Sequence, residues 1–529
     1  MRNTIALVVC SIAALLARGA AVDDSGMGLP EKPPGSFWPL GVDAHESAPS
    51  FSRGDPVVGT TYFYWYDVET NSHIIDHDGT DALTTHPDDM SGLSYKRVSW
   101  HETQLRDMTS AGIDFLMPVY WGVPGDYDGA RRGWSFVGLP PLAAAHDRLC
   151  EAGETPPAIG MFFDTSILRA NAFRPDGTNY HVDLTTDFGK AWFYTVIRDF
   201  FSLIPPSKWA RVDGKPIVFL YAAAFAEAQD PALFAYLRRR FEEEFSTDLF
   251  LVKMRDWQGP ADATYQWTGA SGLQIDPDVI AISPGYDHSA VPGRAPLLVE
   301  RRDGRTYTER WFQALRLNRE RRPWMVHVET WNEWHEGTDV AHSREYGRMY
   351  VALTRVFADL WRNGTVELRG AYTDAQGVSW EPGKPDGLAI CEPGGDGYWK
   401  EAAFDEVTAA VSAANDVPGD TRFLYFDIDE SFAFDLDGDT VTVSVTYWDT
   451  GCDSFDVAYD NIDPTQGLVD GAFRPGGDVR LTGTEAWKTA SLDLAGCRFI
   501  NRCNRGDFRF GVLGGNRELA VSKVTVTKR

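Results

Sequence analysis

Eight short apolar runs recur along the first two thirds of the chain, and most are separated by segments with helical periodicity. The runs are continuous rather than alternating in polarity, which is typical of parallel strands buried on both faces. They cover residues 61–67, 114–122, 158–166, 216–223, 248–257, 263–269, 278–288 and 323–334. Amphipathic segments lie at 101–112, 190–204, 232–245, 305–320 and 343–361. We therefore predict an α/β domain, a (β/α)8 TIM barrel with its strands in sequential order.

A different pattern begins near residue 365, where glycine, proline and aspartate become frequent. Short runs of alternating polarity follow at 440–449, 454–460, 487–494, 506–513 and 519–528. Turn residues at this spacing predict an all-β sandwich of the jelly-roll-like kind. The predicted organisation is a signal peptide at 1–21, an N-terminal extension at 22–57, the catalytic barrel at 58–365, a linker at 366–399 and a carbohydrate-binding-like sandwich at 400–529.

The first residues have the layout of a cleaved secretory signal. Arg2 precedes an apolar run at 4–17, and Arg18 and three small residues follow it. The run is too short to span a bilayer, and Val9 before Cys10 is too large for a good lipoprotein cleavage site. We therefore expect a secreted protein, extracellular or periplasmic, with no membrane span.

Cysteine usage also fits an oxidising exterior. Four cysteines fall in the last third of the chain: Cys391, Cys452, Cys497 and Cys503. We expect at least one disulfide in the sandwich, involving Cys497 or Cys503. The sequence leaves the three possible pairings open.

Net charge and aromatic content limit the classes of molecule that the protein is expected to bind. The chain has 50 Lys and Arg against 76 Asp and Glu, a formal net charge of -26, and such a field repels nucleic acid and anionic polymers. The 18 Trp and 20 Tyr exceed what a core alone needs, and sugar rings are the usual surface partner of such side chains. We expect a neutral polysaccharide or glycan as substrate, no nucleic-acid partner, and a monomer.

The strongest chemical signal is the segment 331–338, WNEWHEGT, at the end of the eighth run. Glycosidic hydrolysis needs one carboxyl group to protonate the leaving oxygen and a second to act as nucleophile or base. Glu333 and Glu336, on a turn that enters a helix, would project on one side with side-chain bases about 5 to 6 Å apart. Walls formed by Trp331 and Trp334 would raise the pKa of one acid and leave the other ionised. We predict that both glutamates are catalytic.

Polar and aromatic residues concentrate at the C-terminal ends of the predicted strands, which form the active face of a β/α barrel. We predict that these residues bind substrate, the aromatic ones as stacking platforms and the aspartates as hydroxyl acceptors. The set is Tyr64, Trp65, Tyr66, Asp67, Tyr120, Trp121, Asp164, Tyr221, Arg255, Asp256, Trp257, Trp267, Tyr286, Asn332, Trp334 and His335.

We predict neither a cofactor nor a catalytic metal. His335 has no second histidine at ligand spacing, so a hydrogen-bonding role is favoured for it. Glu329, inside the eighth run, is a reserve candidate for the second carboxylate. The turn at 435–439 resembles part of a calcium loop but lacks the distal glutamate, which favours a plain hairpin over a structural calcium site. Trp448 and Trp487 could either line a sugar-binding face or pack the inner sheet.

The motif WNEWHEGT resembles the NEWHEGT signature of the glycoside hydrolase family 99 endo-α-mannosidases. The likeness extends to YFYWYD in the first run and to AGIDFLMPVYWG around the second, and so to residues 58–360. The whole chain is similar to bacterial proteins grouped as domain of unknown function 5010. The resemblance implies that Glu333 deprotonates a sugar 2-hydroxyl, that Glu336 is the general acid and base, and that anomeric configuration is retained. At the position where those enzymes carry a glutamate after the third strand, this chain has Asp164.

Two other functions compete with a glycoside hydrolase. The first is a secreted, non-catalytic polysaccharide-binding protein built on a relic barrel, which needs no shared cleft between the glutamates and the aromatic residues of the first two strands. The second is a lyase for acidic glycans, which needs Arg, Lys and Tyr around the site.

Overall fold

A computed structural model describes residues 27–45, 49–127, 133–291, 293–294, 297–318, 320–364, 369–394, 396–414, 422–514 and 518–529. The predicted signal peptide lies outside these residues. The chain divides into two compact units. The first comprises Met1–Trp311 and Pro323–Gly364, and the second comprises Phe312–Arg322 and Thr365–Arg529.

The first unit is built on a sheet of parallel strands. In chain order they are β1 Val57–Tyr62, β2 Phe115–Tyr120, β3 Met161–Phe163, β4 Lys215–Leu220, β5 Phe250–Met254, β6 Ala263–Tyr265, β7 Val279–Ile282 and β8 Met325–Val328. β1, β2, β7 and β8 are buried at every position, as the continuous apolar runs predict.

These strands form a nearly closed barrel. Consecutive strands from β1 to β6 pair in parallel, β8 lies beside β1, and β7 lies beside β8. No ladder joins β6 to β7 within the described ranges, and the short strand Gln274–Ile275 instead pairs antiparallel with β7. The sequential order is therefore as predicted, but the closed eightfold barrel is only partly formed.

Seven α-helices are described. They are α1 Val98–Ala111, α2 Gly133–Val137, α3 Leu139–Glu151, α4 Asp187–Leu203, α5 Leu233–Phe245, α6 Arg305–Arg316 and α7 Met349–Asn363. α4 illustrates how a helix begins: the Thr186 side chain accepts a hydrogen bond from the Gly189 amide, satisfying an N-terminal donor. The described connections 255–262 and 266–278 contain no helix, and the barrel fails to close across the second of them, between β6 and β7.

The second unit contains two antiparallel sheets. Its strands are β9 Gly377–Glu381, β10 Lys384–Asp386, β11 Leu388–Ile390, β12 Trp399–Phe404, β13 Val407–Ser412, β14 Phe423–Ile428, β15 Asp439–Trp448, β16 Ser454–Tyr459, β17 Arg474–Arg480, β18 Trp487–Cys497, β19 Phe508–Leu513 and β20 Ala520–Lys528. One sheet joins β11, β14, β19, β16 and β17, and the other joins the remaining strands around β20. β15 alternates buried and partly exposed residues, because one face covers a core rich in valine and phenylalanine.

Two expectations for this unit change. The segment 366–399, predicted as a linker, contains β9, β10 and β11, all of which pair within the sheets. The expected disulfide is not formed: Cys150 and the four sandwich cysteines are free thiols. Cys497 and Cys503 are buried in different apolar clusters.

The turn at 435–439 behaves as a structural turn. Asp435 pairs with Arg321 and Arg498, and Asp437 pairs with Arg321. The described residues hold no group of three or more His, Cys, Asp or Glu side chains arranged to bind a metal ion. In the same part of the chain, no helix has the length and apolar character needed to cross a membrane.

Candidate active site

The WNEWHEGT segment is fixed to the barrel directly after β8. The Trp331 amide donates to the Thr61 carbonyl of β1 at 2.9 Å, and its indole Nε1 donates to Gln104 Oε1 at 2.7 Å. Asn332 uses both atoms of its amide on Phe63: Oδ1 accepts from the Phe63 amide and Nδ2 donates to its carbonyl, each at 2.7 Å. The segment therefore continues the strand pairing of β8 with β1.

The motif forms turns, whereas we expected it to enter a helix. The Glu333 amide donates to Thr330 Oγ1 at 2.8 Å, and the Thr338 amide donates back to the Glu333 carbonyl at 3.3 Å. Gly337 has a φ of 54°, in the left-handed region that favours glycine. α7 begins only at Met349, so turn geometry rather than helical spacing places Glu333 and Glu336.

Glu333 is a buried carboxylate with one engaged oxygen. Its Oε1 accepts from His335 Nδ1 at 2.8 Å and from the His335 amide at 3.2 Å. Its Oε2 is buried and has no hydrogen-bond partner among the described residues. Burial raises the pKa of Glu333, and the nearby Glu336 charge adds to this, although His335 opposes both. A buried acceptor without a partner is costly, so Oε2 is a natural place for a ligand donor.

His335 contacts both Glu333 and the aromatic rings of Tyr66 and Trp65. Its ring stacks on Tyr66, with centroids 5.4 Å apart, and meets the edge of Trp65 at 5.6 Å. Burial lowers the pKa of His335, but the charges of Glu333 and Glu336 outweigh this and raise it overall. The imidazole is thus held as the hydrogen-bond partner of Glu333.

Glu336 occupies a more open position. Its side chain is about one fifth exposed, at 20 %, and Oε1 forms an ion pair with Arg294 Nη1 at 2.5 Å. The Glu336 carbonyl accepts from the Asp287 amide at 2.8 Å, which fixes the backbone while the carboxylate reaches solvent. The two glutamates therefore differ in burial and in the charge beside them.

His335 adjoins an aromatic cluster centred on Trp65, whose ring contacts His335 and rings from three other parts of the chain. Trp65, after β1, is partly exposed and stacks face to face on His73, with centroids 4.6 Å apart and planes 3° from parallel. Its edge contacts are Trp121, after β2, at 5.7 Å, and Trp134 of α2 at 5.5 Å. The catalytic candidates and the aromatic residues of the first two strands therefore share one site.

Several predicted binding residues are instead committed to packing or structural bonds. Tyr64, Tyr66, Tyr120, Asn332 and Trp334 are almost fully buried. Asp67 is buried and bound to Lys96 at 2.7 Å, and the Trp257 indole donates to the Tyr221 carbonyl. These side chains are engaged in packing or in structural hydrogen bonds, so direct substrate contact is least expected of them.

The other predicted residues lie around strand ends on β3 to β7. Asp164 is partly exposed and accepts from the Ser166 amide at 3.0 Å, and Asp256 accepts from the Ala223 amide at 2.8 Å. Arg255 forms an ion pair with Asp276 at 2.8 Å.

A second aromatic group consists of Tyr221 and Trp267, 5.5 Å apart and partly exposed. Tyr286 is buried and shares a hydrogen bond with His288 at 2.9 Å.

Glu329, the reserve candidate, is a structural acceptor. It is fully buried, and its two oxygens accept from the Thr268 and Gly269 amides at 2.6 and 2.7 Å. Burial raises the pKa of Glu329 well above its usual range, although these two donors oppose the shift. With both oxygens engaged it fixes the segment after Trp267 rather than offering a second catalytic group.

Sequence reasoning missed His73, Trp134 and Arg294. His73 lies in a loop, Trp134 in a short helix and Arg294 in a loop after β7, none within a motif or a predicted strand end. Only the folded chain brings them beside residues 65, 335 and 336.

Comparisons with solved structures give remote likenesses. The GH99 endo-alpha-mannosidase from Bacteroides thetaiotaomicron is 15% identical, with 59% of this chain and 99% of that chain covered and a TM-score of 0.40. The C-terminal family 6 carbohydrate-binding module of a marine laminarinase from Zobellia galactanivorans is 10% identical, with 29% and 99% covered and a TM-score of 0.17.

Neither likeness assigns an activity to this chain. No curated protein matches it. The family described as Domain of unknown function (DUF5010) matches residues 45–373, more than half of the 529 residues, and the chain belongs to that family.

Proposed function

We propose that this protein is a secreted glycoside hydrolase that cleaves a neutral polysaccharide or glycan with Glu333 and Glu336. The observation that carries the proposal is that the two glutamates lie in different environments within one motif, and that His335 of this motif contacts Trp65. Glu333 is buried with an unpartnered oxygen, whereas Glu336 reaches solvent beside Arg294. Two carboxyl groups with distinct environments are what acid and base roles require.

Glu333 is suited to the role of general base. His335 holds its Oε1, so Oε2 is left to accept a proton from a sugar hydroxyl. Burial raises its pKa, and a general base works best when its pKa approaches the operating pH. The resemblance to the family 99 enzymes gives Glu336 the acid and base role, and its more open position lets water reach it.

The reaction follows from these roles and from the resemblance to the family 99 enzymes. Glu333 takes the proton of the 2-hydroxyl, O2 bonds to C1, and the bond from C1 to the leaving oxygen breaks as Glu336 gives that oxygen its proton. Water then bonds to C1 and returns a proton to Glu336, while the bond from C1 to O2 breaks and O2 regains its proton from Glu333. Two inversions at C1 retain the anomeric configuration.

A relic barrel that only binds glycan is the alternative. Such a protein places no requirement on the environments of Glu333 and Glu336. A hydrolase needs two carboxyl groups in different environments, one for each role. A lyase for acidic glycans is less favoured, because two described cations beside the motif are already paired, Arg294 with Glu336 and Arg301 with Asp339.

The experiment is a reducing-end assay of the purified full chain against a panel of neutral polysaccharides. Wild type is compared with Glu333→Gln, Glu336→Gln and a control, Glu345→Gln, which alters an acid paired with His86 outside the motif. New reducing ends from wild type and the control but not from the two motif variants support the proposal. Equal release by all four proteins, or binding without release, contradicts it.

A further inference from the structure

We propose that the outer face of the sheet formed by β15 and β18 binds a neutral glycan chain, with Trp448 and Trp487 as its stacking platform. This inference concerns the second unit alone and does not rest on hydrolysis in the barrel. Trp448 ends β15 and pairs directly with Trp487, the first residue of β18. The ring centroids are 5.4 Å apart, and Phe404 of β12 lies 5.6 Å from Trp448.

The alternation of β15 places these rings on the side of the sheet away from the core. Val441, Val443, Val445 and Tyr447 are buried in the core, so the residues between them face the other way. Trp448 belongs to this second set and is partly exposed. The structure thus answers the choice left open by the sequence: Tyr447 packs inward and Trp448 faces outward.

The platform is held in place from behind. The Trp487 indole donates to the Phe404 carbonyl at 3.3 Å. Asp449 is buried and accepts from Lys488 Nζ and Thr484 Oγ1, both at 2.6 Å, which fixes the hairpin that carries Trp487. Lys488 and the threonine donors outweigh burial and lower the pKa of Asp449. A ring pair that is already positioned loses little freedom when a sugar stacks on it.

A row of hydroxyl groups continues from the rings along the same face. Three cross-strand pairs form it: Thr446 with Thr489 at 3.0 Å, Ser444 with Ser491 at 2.8 Å, and Thr442 with Asp493 at 2.8 Å. From residue 448 to residue 442 the row spans roughly 20 Å at the rise of a β-strand. Hydroxyl groups donate and accept, so they match the hydroxyl groups of several consecutive sugars.

Two ion pairs lie on this face and leave no net charge between them, which favours a neutral occupant. Asp493 pairs with Arg529 at 2.5 Å, and Glu381 of β9 pairs with Lys523 of β20 at 2.8 Å. The chain as a whole has a net charge of -26, so an anionic polymer meets long-range repulsion and no excess of cations here. Stacking rings, paired charges and a hydroxyl row together fit a neutral polysaccharide.

The alternative is that the three rings form only a small apolar cluster on the sheet. They do pack against Ala409, Val411 and Ala520. In that case their removal lowers stability and leaves glycan binding unchanged, so binding and unfolding must be measured on the same variants.

The test is affinity electrophoresis of the full chain in native gels that contain α-mannan, mixed-linkage β-glucan or xylan, with polygalacturonate as the anionic comparison. The parent carries Glu333→Gln so that no polymer is degraded. Trp448→Ala and Trp487→Ala are compared with Tyr398→Ala, which removes another exposed aromatic ring of the same unit. Ser491→Arg adds bulk and charge to the exposed hydroxyl row without altering the core.

At least one neutral polymer should retard the parent and the Tyr398 variant, and each tryptophan variant should bind at least about tenfold more weakly, as expected for loss of an aromatic anchor. If a tryptophan variant fails to fold, Ser491→Arg takes its place and should also weaken binding. No retardation by any of the three neutral polymers, retardation by polygalacturonate alone, or unchanged binding by the face variants overturns the proposal. Hydrolysis of a short soluble glycan by the same variants with Glu333 restored reports separately on the barrel.

Discussion

His335→Phe is the perturbation that most sharply tests how Glu333 works. Phenylalanine keeps a ring beside Tyr66 and Trp65 but removes the donor that lies 2.8 Å from Glu333 Oε1. The His335 amide remains at 3.2 Å, so one hydrogen bond to the carboxylate is retained. A hydrogen bond to a charged group contributes about 1.5 to 3 kcal/mol, which corresponds to a fall in kcat/KM of about 10- to 150-fold.

His335→Phe should also shift the pH dependence of kcat/KM in a defined direction. Burial raises the pKa of Glu333, and His335 opposes that shift. Removing the imidazole therefore raises the pKa further. A base acts when it is deprotonated, so activity appears as the pH rises through its pKa, and the acid limb of kcat/KM should move to higher pH.

The assay is kcat/KM against pH for wild type, His335→Phe, His335→Gln and a control, His181→Gln. His181 also pairs with a glutamate, Glu227, but on an exposed part of the barrel unit. Glutamine at position 335 can still donate a hydrogen bond to Glu333. That variant should therefore recover part of the activity and shift the acid limb of kcat/KM less than His335→Phe does. An acid limb that stays in place in His335→Phe, or that moves equally in the control, refutes the assigned role.

Three further predictions concern the same site. Glu333→Gln and Glu336→Gln should each lower kcat by at least about 100-fold, the low end for a positioned acid or base, with thermal unfolding close to wild type; an unchanged rate in either removes that residue from the mechanism. A substrate with a good leaving group should restore the first step in Glu336→Gln but not in Glu333→Gln, and proton NMR of the fresh product should show retained configuration; inversion would instead require water between carboxyls roughly 6.5 to 9.5 Å apart. Asn332→Ala leaves the Phe63 amide and carbonyl unpaired and should lower the free energy of unfolding by about 2 kcal/mol or more, measured by denaturant titration; wild-type stability contradicts the structural role of that amide.

The sequence predicted the order of the barrel strands because buried parallel strands give a simple signal, a continuous apolar run. It did not predict the open seam between β6 and β7, which depends on short connections that form no covering helix. The sandwich was recognised from alternation, and β15 is the clearest case. β9, β10 and β11 were missed because they are short and lie in a segment rich in glycine, proline and charge, which also describes a linker.

For the candidate site, the motif was informative about residue types but less so about their contacts. A strand-end position made Asn332 and Tyr66 look like substrate contacts, but the fold uses the Asn332 amide to bind β1 and Tyr66 to pack His335. His73 and Arg294 come from loops, and no local pattern links a loop residue to a distant motif. Long-range placement of this kind depends on the whole packing of the unit.

Hydrolysis by Glu333 and Glu336 is tested most directly by mass spectrometry of the products from one neutral glycan that the wild-type protein cleaves. Hydrolysis predicts pairs of shorter oligosaccharides whose summed mass exceeds that of the glycan by one molecule of water for each bond cleaved, formed by wild type and absent with Glu333→Gln and with Glu336→Gln. Unsaturated products without added water, or the same hydrated products from either glutamine variant, would contradict it.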